Sequence, residues 1–461
     1  MSRKTAMISE IPPSASSPET STDALYLKVA LRLVPLLIVC YVVAYLDRIN
    51  VGFAKLQMQE SLGFSDAVYG LGAGIFFIGY FLFEVPSNLL LQRIGARKTI
   101  TRIMVCWGVT GMLMACVSST TWFYTLRFLL GVFEAGFFPG VVYYLSQWFP
   151  THRRGQMLGL FMTGFPIAGL LGSPVSGWAM SHLDGLMRLA GWQWLYIVEA
   201  APAVVLGAFV WFWLDDDVDA AKWLNATERT LLRGALAVDQ AHAAPHRAGL
   251  LRSVIGDPKV YLISAAYFTF ICGTYALSFW LPTVLKSAGI ASVERLGWLS
   301  AIPYGVAVVG MVIICRSSDR HLERRWHTSL SALVGAGALA GLPFSPSLVI
   351  TITLLCVAST AVFVTLPLLW SLVSDYFAGA PAAAAGIAFI NSLGLLGGFA
   401  SPLAMGWIKT VTGSLDSGLY LMTGLLVAGA VVLLVGIRGA PLPMPGAQAQ
   451  VIDGEKPLRS S

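Results

Sequence analysis

The sequence predicts an all-α polytopic membrane protein: twelve transmembrane helices in two six-helix halves, with both termini in the cytoplasm. Three observations predict it. The 461 residues are 56% apolar and only 12% charged, about half the charged share of a soluble globular chain, and the mean hydropathy is +0.72. Apolar runs of about 20 residues, the length that crosses a hydrocarbon core of about 30 Å, recur along the chain. Basic residues gather in every second connection between them. This composition excludes a soluble enzyme, a disordered chain and a nucleic-acid binder, despite 30 Lys and Arg against 24 Asp and Glu.

In chain order, residues 1–27 are rich in Ser, Thr and Pro, lack a secretory apolar run, and predict a disordered cytoplasmic tail. Apolar segments 1 to 6 fall at 31–54, 68–91, 99–117, 121–146, 156–180 and 192–214, so an N-terminal bundle covers 28–214. A polar linker, 215–257, opens on Asp215, Asp216, Asp217 and Asp219 and continues into an amphipathic helix from Ala220 to Val238. Segments 7 to 12 fall at 258–285, 296–316, 328–344, 347–374, 383–408 and 416–438, giving a C-terminal bundle over 258–438, and 439–461 form a second cytoplasmic tail.

With the N-terminus inside, the cytoplasmic stretches carry 23 of the 30 basic residues. Outer stretches carry five: Lys55, Arg188, Lys286, Arg295 and Lys409. That bias sets the topology. The six cysteines lie in or beside apolar runs without paired spacing, which predicts packing residues and neither disulfides nor zinc ligands. The six histidines fall in loops or at helix ends. A proton carrier within the membrane is therefore a carboxylate, and no metal or cofactor is expected.

The halves repeat. Gln92-Arg93-Ile94-Gly95-Ala96-Arg97-Lys98 follows segment 2, and Asp319-Arg320-His321-Leu322-Glu323-Arg324-Arg325 follows segment 8 at an offset of 227. Two repeated halves imply a solute path between them near the midplane. The loops resemble the signature of the major facilitator superfamily, with Gln92 at the usual Asp position and Ala96 at an Arg position. The resemblance implies that fold, with a gating role for Arg93, Arg97, Asp319 and Arg320.

Ionisable groups within a membrane are costly and face the bundle interior. The candidates are Asp47, Arg48, Glu84, Arg127, Glu134 and Glu199. At about 1.5 Å per residue, Asp47 and Arg48 share a level with Arg127, and Glu134 lies nearer the centre. Arg127 and Glu134, seven apart, share one face of segment 4, and Tyr41, Tyr45, Arg48 and Gly52 share one face of segment 1. Asp47 points about 100° away from Arg48. Such a set is either a static ion pair or a proton site coupled to an anion site. In the second case Arg offers a planar fork to a carboxylate, and an ionised acid competes for it. Protonating the acid removes the competitor, so proton and anion favour each other's binding.

Tyr45-Leu46-Asp47-Arg48-Ile49-Asn50 and Arg127 to Gly136 resemble the anion:cation symporter family within that superfamily. So do Glu84-Val85-Pro86-Ser87-Asn88 and Gly191-Trp192-Gln193-Trp194. The resemblance spans residues 28 to 438 and fits the bacterial tartrate and aromatic-acid carriers, beside those for phthalate, hydroxyphenylacetate and nicotinate. It implies proton coupling at Asp47 and Glu134 and anion recognition at Arg48 and Arg127.

Tyr45 and Tyr80 are further candidates for substrate contact, and Glu84, beside Pro86, for a structural or gating role. Glu199 reads as an interhelical hydrogen-bond partner. In the second half, Trp370, Ser371 and Asn391 resemble positions that touch substrate, or else serve as polar glue between helices. The expectation is a monomeric inner-membrane symporter importing a small organic anion with protons. An exchanger or exporter on the same fold and a non-transporting membrane sensor are the alternatives. A membrane enzyme is the least expected class, because no His, Cys or Ser constellation lies within reach of a membrane-depth pocket.

Overall fold

The computed structural model describes residues 18–242, 254–377 and 383–437. All regular structure within them is helical. Segment 1 comprises Pro18–Ile49 and Val51–Leu62. Segments 2 and 3 are Asp66–Ile94 and Ala96–Leu113. Segment 4 is Thr120–Glu134 with Phe137–Ser146, segment 5 is Thr151–Met162 with Gly164–His182, and segment 6 is Gly191–Trp213. After a linker helix, Ala226–His242, come segments 7 to 12: Pro258–Ser287, Val293–His321, Arg325–Gly341, Leu348–Tyr376, Ala383–Thr412 and Asp416–Gly436. Among the described residues, eleven helical stretches are long and apolar enough to cross a membrane. Segment 9, at 17 residues, falls just short of that length.

Side-chain caps fix where the helices begin. Ser65, Ser119, Ser292 and Ser347 each accept a hydrogen bond from the backbone N–H three residues on, satisfying donors that a helix start leaves open. Large apolar side chains such as Leu82, Trp298, Ile313 and Val349 are exposed around the outside, as a lipid-facing surface requires.

Four differences from the sequence reading have physical causes. Residues 18–27, expected as disordered tail, extend segment 1: Leu25, Tyr26 and Val29 are buried, and the Tyr26 ring lies 6.3 Å from that of Phe149. Segment 1 also runs on to Leu62, which takes Lys55 out of the expected outer loop into the protein interior. The linker helix starts at Ala226 and not Ala220. Asn225 and Glu228 form a reciprocal cap there, with Glu228 N–H donating to Asn225 Oδ1 at 2.8 Å and Asn225 N–H to Glu228 Oε2 at 2.9 Å. Segment 4, expected as continuous, breaks after Glu134, where Gly136 has φ +87°, a left-handed conformation suited to glycine. Of the expected tails, residues 1–17 and 438–461 lie outside the described residues, as does 243–253 of the linker.

The first and last six segments meet through segment 5 on segment 8 and segment 2 on segment 11. Small residues allow these approaches. Gly177 sits against Gly297, where a Cβ would lie 2.9 Å from the facing Cα, and Gly70 sits likewise against Gly406. Such close backbone packing is typical of helices in lipid. It closes the molecule on the face opposite the repeated loops.

Candidate functional site

A cavity of about 620 Å³ lies between the two sets of segments. Its wall includes Gly155, Gln156 and Gly159 at the start of segment 5, Arg316 and Asp319 at the end of segment 8, and Arg324 in the loop that follows. The cavity therefore reaches the face that carries the repeated loops. Deeper in, it is lined by Tyr45, Arg48 and Tyr80 from the first half and by Tyr267, Tyr275, Trp370, Ser371 and Asn391 from the second. The six candidates Tyr45, Arg48, Tyr80, Trp370, Ser371 and Asn391 thus converge on one space.

Arg48 is the cation of this wall. Its Nη1 donates to Tyr275 Oη at 2.7 Å across the interface between the halves, and its Nη2 is paired with Glu134 Oε1. Four rings surround the guanidinium, with Phe76 at 5.2 Å and Tyr80 at 5.5 Å from its centre. An aromatic collar of this kind suits a planar, weakly hydrated cation. Glu134 is buried behind it at the C-terminal end of the helix that stops at the Gly136 break.

Asp47 and Arg127 are not in the cavity wall. Asp47 faces segments 3 and 6, where its carboxylate is what a Cβ on Gly111 would meet, and Asn50 Nδ2 donates to its Oδ1 at 3.0 Å. Arg127 is fully buried, and its guanidinium donates to the backbone carbonyls of Gly72 at 3.1 Å and Ala73 at 3.3 Å. Arg127, expected as an anion contact, lies behind the cavity wall in this structure. Glycines 72, 79 and 131 bring segments 2 and 4 so close that Arg127 Nε and Nη2 reach main-chain carbonyls, while its buried Nη1 has no hydrogen-bond partner. Arg127 still faces Asp47 and Glu134 electrostatically.

Glu84 lies beside the cavity, buried, and accepts from Asn391 Nδ2 at 3.1 Å, a second polar link between the halves. Asn391 Oδ1 in turn accepts from Tyr267 Oη at 3.4 Å, and the Tyr267 ring stands edge-on to Trp370 at 5.1 Å.

Among the loop residues, Arg97 finds its acid outside the motif. Its backbone N–H donates to Asp216 Oδ1 at 2.8 Å, so the first linker acids occupy the place that Gln92 leaves without charge. Asp319 is paired with Arg324 of its own loop, and Arg324 Nε lies 3.7 Å from Asp375 Oδ2. Arg93 and Arg320 are exposed and have no ion pair among the described residues.

Lys55 is the residue that sequence reasoning missed. Its Nζ is 2.7 Å from Asp66 Oδ1 and 3.5 Å from the centre of the Trp280 ring, and Lys409 Nζ reaches the same Asp66 oxygen at 3.3 Å. Segments 1, 2, 7 and 11 are thus tied together on the closed face. The missed signal was Asp66, the only acid opening segment 2. No group of three or more His, Cys, Asp or Glu side chains is placed to hold a metal among the described residues.

The sequence pattern described as Major Facilitator Superfamily matches residues 37–402. A protein of Agrobacterium vitis named "Putative tartrate transporter" is 46% identical over 414 residues, covering 90% of this chain and 91% of its own. A "Quinolone resistance transporter" of Acinetobacter baumannii is 41% identical over 430 residues, covering 93% and 98%. The inward open structure of the xylose transporter XylE from Escherichia coli superposes with a TM-score of 0.70 at 12% identity, over 89% of this chain and 96% of that one. The chain belongs to the major facilitator superfamily, and it is a multi-pass membrane transporter, not an enzyme.

Proposed function

We propose that the protein imports a small organic anion, a tartrate-like dicarboxylate, sugar acid or aromatic carboxylate, together with protons across the bacterial inner membrane. The observation that carries this reading is Arg48, a cation in the cavity wall whose fork is occupied by the buried acid Glu134. An anion takes that fork once Glu134 gains a proton, because the neutral acid no longer competes and no longer repels. Tyr275 holds the other edge of the guanidinium and presents it to the cavity. Ser371, Asn391 and Trp370 on the facing wall offer a hydroxyl, an amide and a ring for the body of the solute.

Asp47 sits behind the same machinery as a second titrating acid, and Arg127 balances its charge and locks segment 2 to segment 4. All twelve segments cross the bilayer in this reading, segment 9 included, and a monomer suffices because one chain encloses the whole cavity. The open face, rich in Lys and Arg, is the cytoplasmic one. Arg93, Arg97, Asp319 and Arg320 then rearrange when that face closes, and the Glu84–Asn391 link changes with the approach of the halves.

The relative named for quinolone resistance favours a second reading, export on the same fold. Uptake of labelled tartrate and of an aromatic acid into cells, with and without an uncoupler, separates the two. Import by symport predicts accumulation that the uncoupler abolishes. Entry that an uncoupler leaves intact or increases contradicts it.

A further inference from the structure

The closed face is held by charge as well as by glycine packing, and the charges are divided unevenly between the halves. The first half supplies the acids: Asp66 in the first turn of segment 2, and Glu60 near the end of segment 1. The second half supplies Lys286 and Lys409, in the last turns of segments 7 and 11. Lys409 Nζ lies 3.3 Å from Asp66 Oδ1, and Lys286 Nζ lies 3.9 Å from Glu60 Oε1. Neither lysine has another ion pair among the described residues. Asp66 Oδ1 is also held from its own half, by Lys55 Nζ at 2.7 Å and Gln59 Nε2 at 3.1 Å.

Three ammonium groups thus share two carboxylates, and the surplus rests on an indole: the Trp280 ring has Lys55 Nζ at 3.5 Å and Lys409 Nζ at 5.6 Å from its centre. Separating the halves on this side divides the set in one way. Asp66 stays with Lys55 and Gln59 and keeps its partners. Lys286 and Lys409 leave with the second half, beside Trp280, and keep no carboxylate. A cationic rim of that kind concentrates anions and speeds their encounter. An anion that binds the separated rim and not the closed one shifts the population towards opening by its difference in affinity.

We propose that Lys286 and Lys409 form an outer carboxylate site, separate from Arg48, at which an external organic anion replaces Glu60 and Asp66 and thereby opens the outer face. The same two ammonium groups serve as clasp when the face is closed and as receptor when it is open. Trp280 gives the site an apolar wall for the body of the anion. The anion meets this site first and Arg48 second. The proposal rests on the reading of the protein as an importer of organic anions.

The test uses the full-length protein in right-side-out proteoliposomes at fixed ionic strength. Ser173→Cys in a Cys116→Ser background reports opening by its rate of labelling with an impermeant maleimide added outside. External tartrate is expected to speed labelling several-fold, and to do so in Arg48→Lys as well, where the central site is weakened. Lys286→Gln combined with Lys409→Gln, at side chains 46% and 22% exposed, is expected to label faster without tartrate and to lose the response to it. Lys286→Arg combined with Lys409→Arg keeps the response. A response that survives the two glutamine substitutions, vanishes in Arg48→Lys or is missing from the reporter protein itself overturns the proposal. Failure of the import reading registers separately, as tartrate uptake that is absent or indifferent to an uncoupler while the labelling response remains.

Discussion

Arg48 donates to Tyr275 of the opposite half at 2.7 Å while its other terminal nitrogen is held by Glu134. One guanidinium therefore joins the two halves, faces the cavity and carries an internal carboxylate in the place an external one would take. In the proposed function, substrate recognition, acid competition and contact between the halves all act at that group.

Replacing Arg48 by Lys keeps the charge and removes the fork. A charge-assisted hydrogen bond is worth about 1.5–3 kcal/mol, so anion affinity should fall roughly tenfold to a hundredfold. A thermal-shift titration with tartrate on detergent-purified protein checks this. Unchanged affinity would remove Arg48 from recognition.

Arg127 should behave differently. Its guanidinium ties Gly72 and Ala73 to segment 4 from a fully buried position. Arg127→Leu leaves the buried acids Asp47 and Glu134 short of a neighbouring cation, a loss of about 3–5 kcal/mol by the usual cost of removing one partner of buried charges. Poor yield and a lowered melting temperature are expected for Arg127→Leu. For Arg127→Lys we expect a milder loss of stability, with anion affinity of the folded fraction within a few-fold of wild type. Normal stability with lost affinity would return Arg127 to the substrate.

Asp47→Asn should abolish proton-driven accumulation more than exchange. Asp47 is outside the cavity wall, so a neutral isostere leaves the anion's contacts in place while removing a titrating group. Counterflow and uphill uptake compared in the same proteoliposomes decide it. Normal accumulation would exclude Asp47 from coupling.

The closed face depends on Asp66, which holds both Lys55 and Lys409. Asp66→Asn leaves a buried ammonium unpaired and should shift the population towards the state open on that side. A cysteine at Ser173, buried beneath the segment 5–segment 8 contact, in a Cys116→Ser background, should then react several-fold faster with an impermeant thiol reagent added outside. An unchanged rate would assign closure to the glycine contacts alone.

The sequence made much of this legible because helical spacing is rigid. Residues 47 and 48 must look at different neighbours, and Arg48 shares a face with Tyr45; the cavity wall contains both Tyr45 and Arg48 and omits Asp47. Arg127 was not legible, since its partners are backbone carbonyls, which carry no residue-type signal. Lys55 was hidden because Lys55, Gln57, Gln59 and Glu60 read as an outer loop, whereas the helix continues and points the lysine onto Trp280. The role of Asp216 beside Gly95 and Arg97 needed the third dimension, because the linker returns to the loop after segment 2 from 119 residues away.

The central claim is that an anion and Glu134 compete for Arg48, with a proton deciding between them. The pH dependence of tartrate affinity in wild type and in Glu134→Gln tests it most directly. Wild-type affinity should weaken by about tenfold per pH unit once the acid is ionised, as one linked proton requires, and Glu134→Gln should bind tightly with no such slope. Equal slopes in both proteins, or no slope in wild type, would contradict the account.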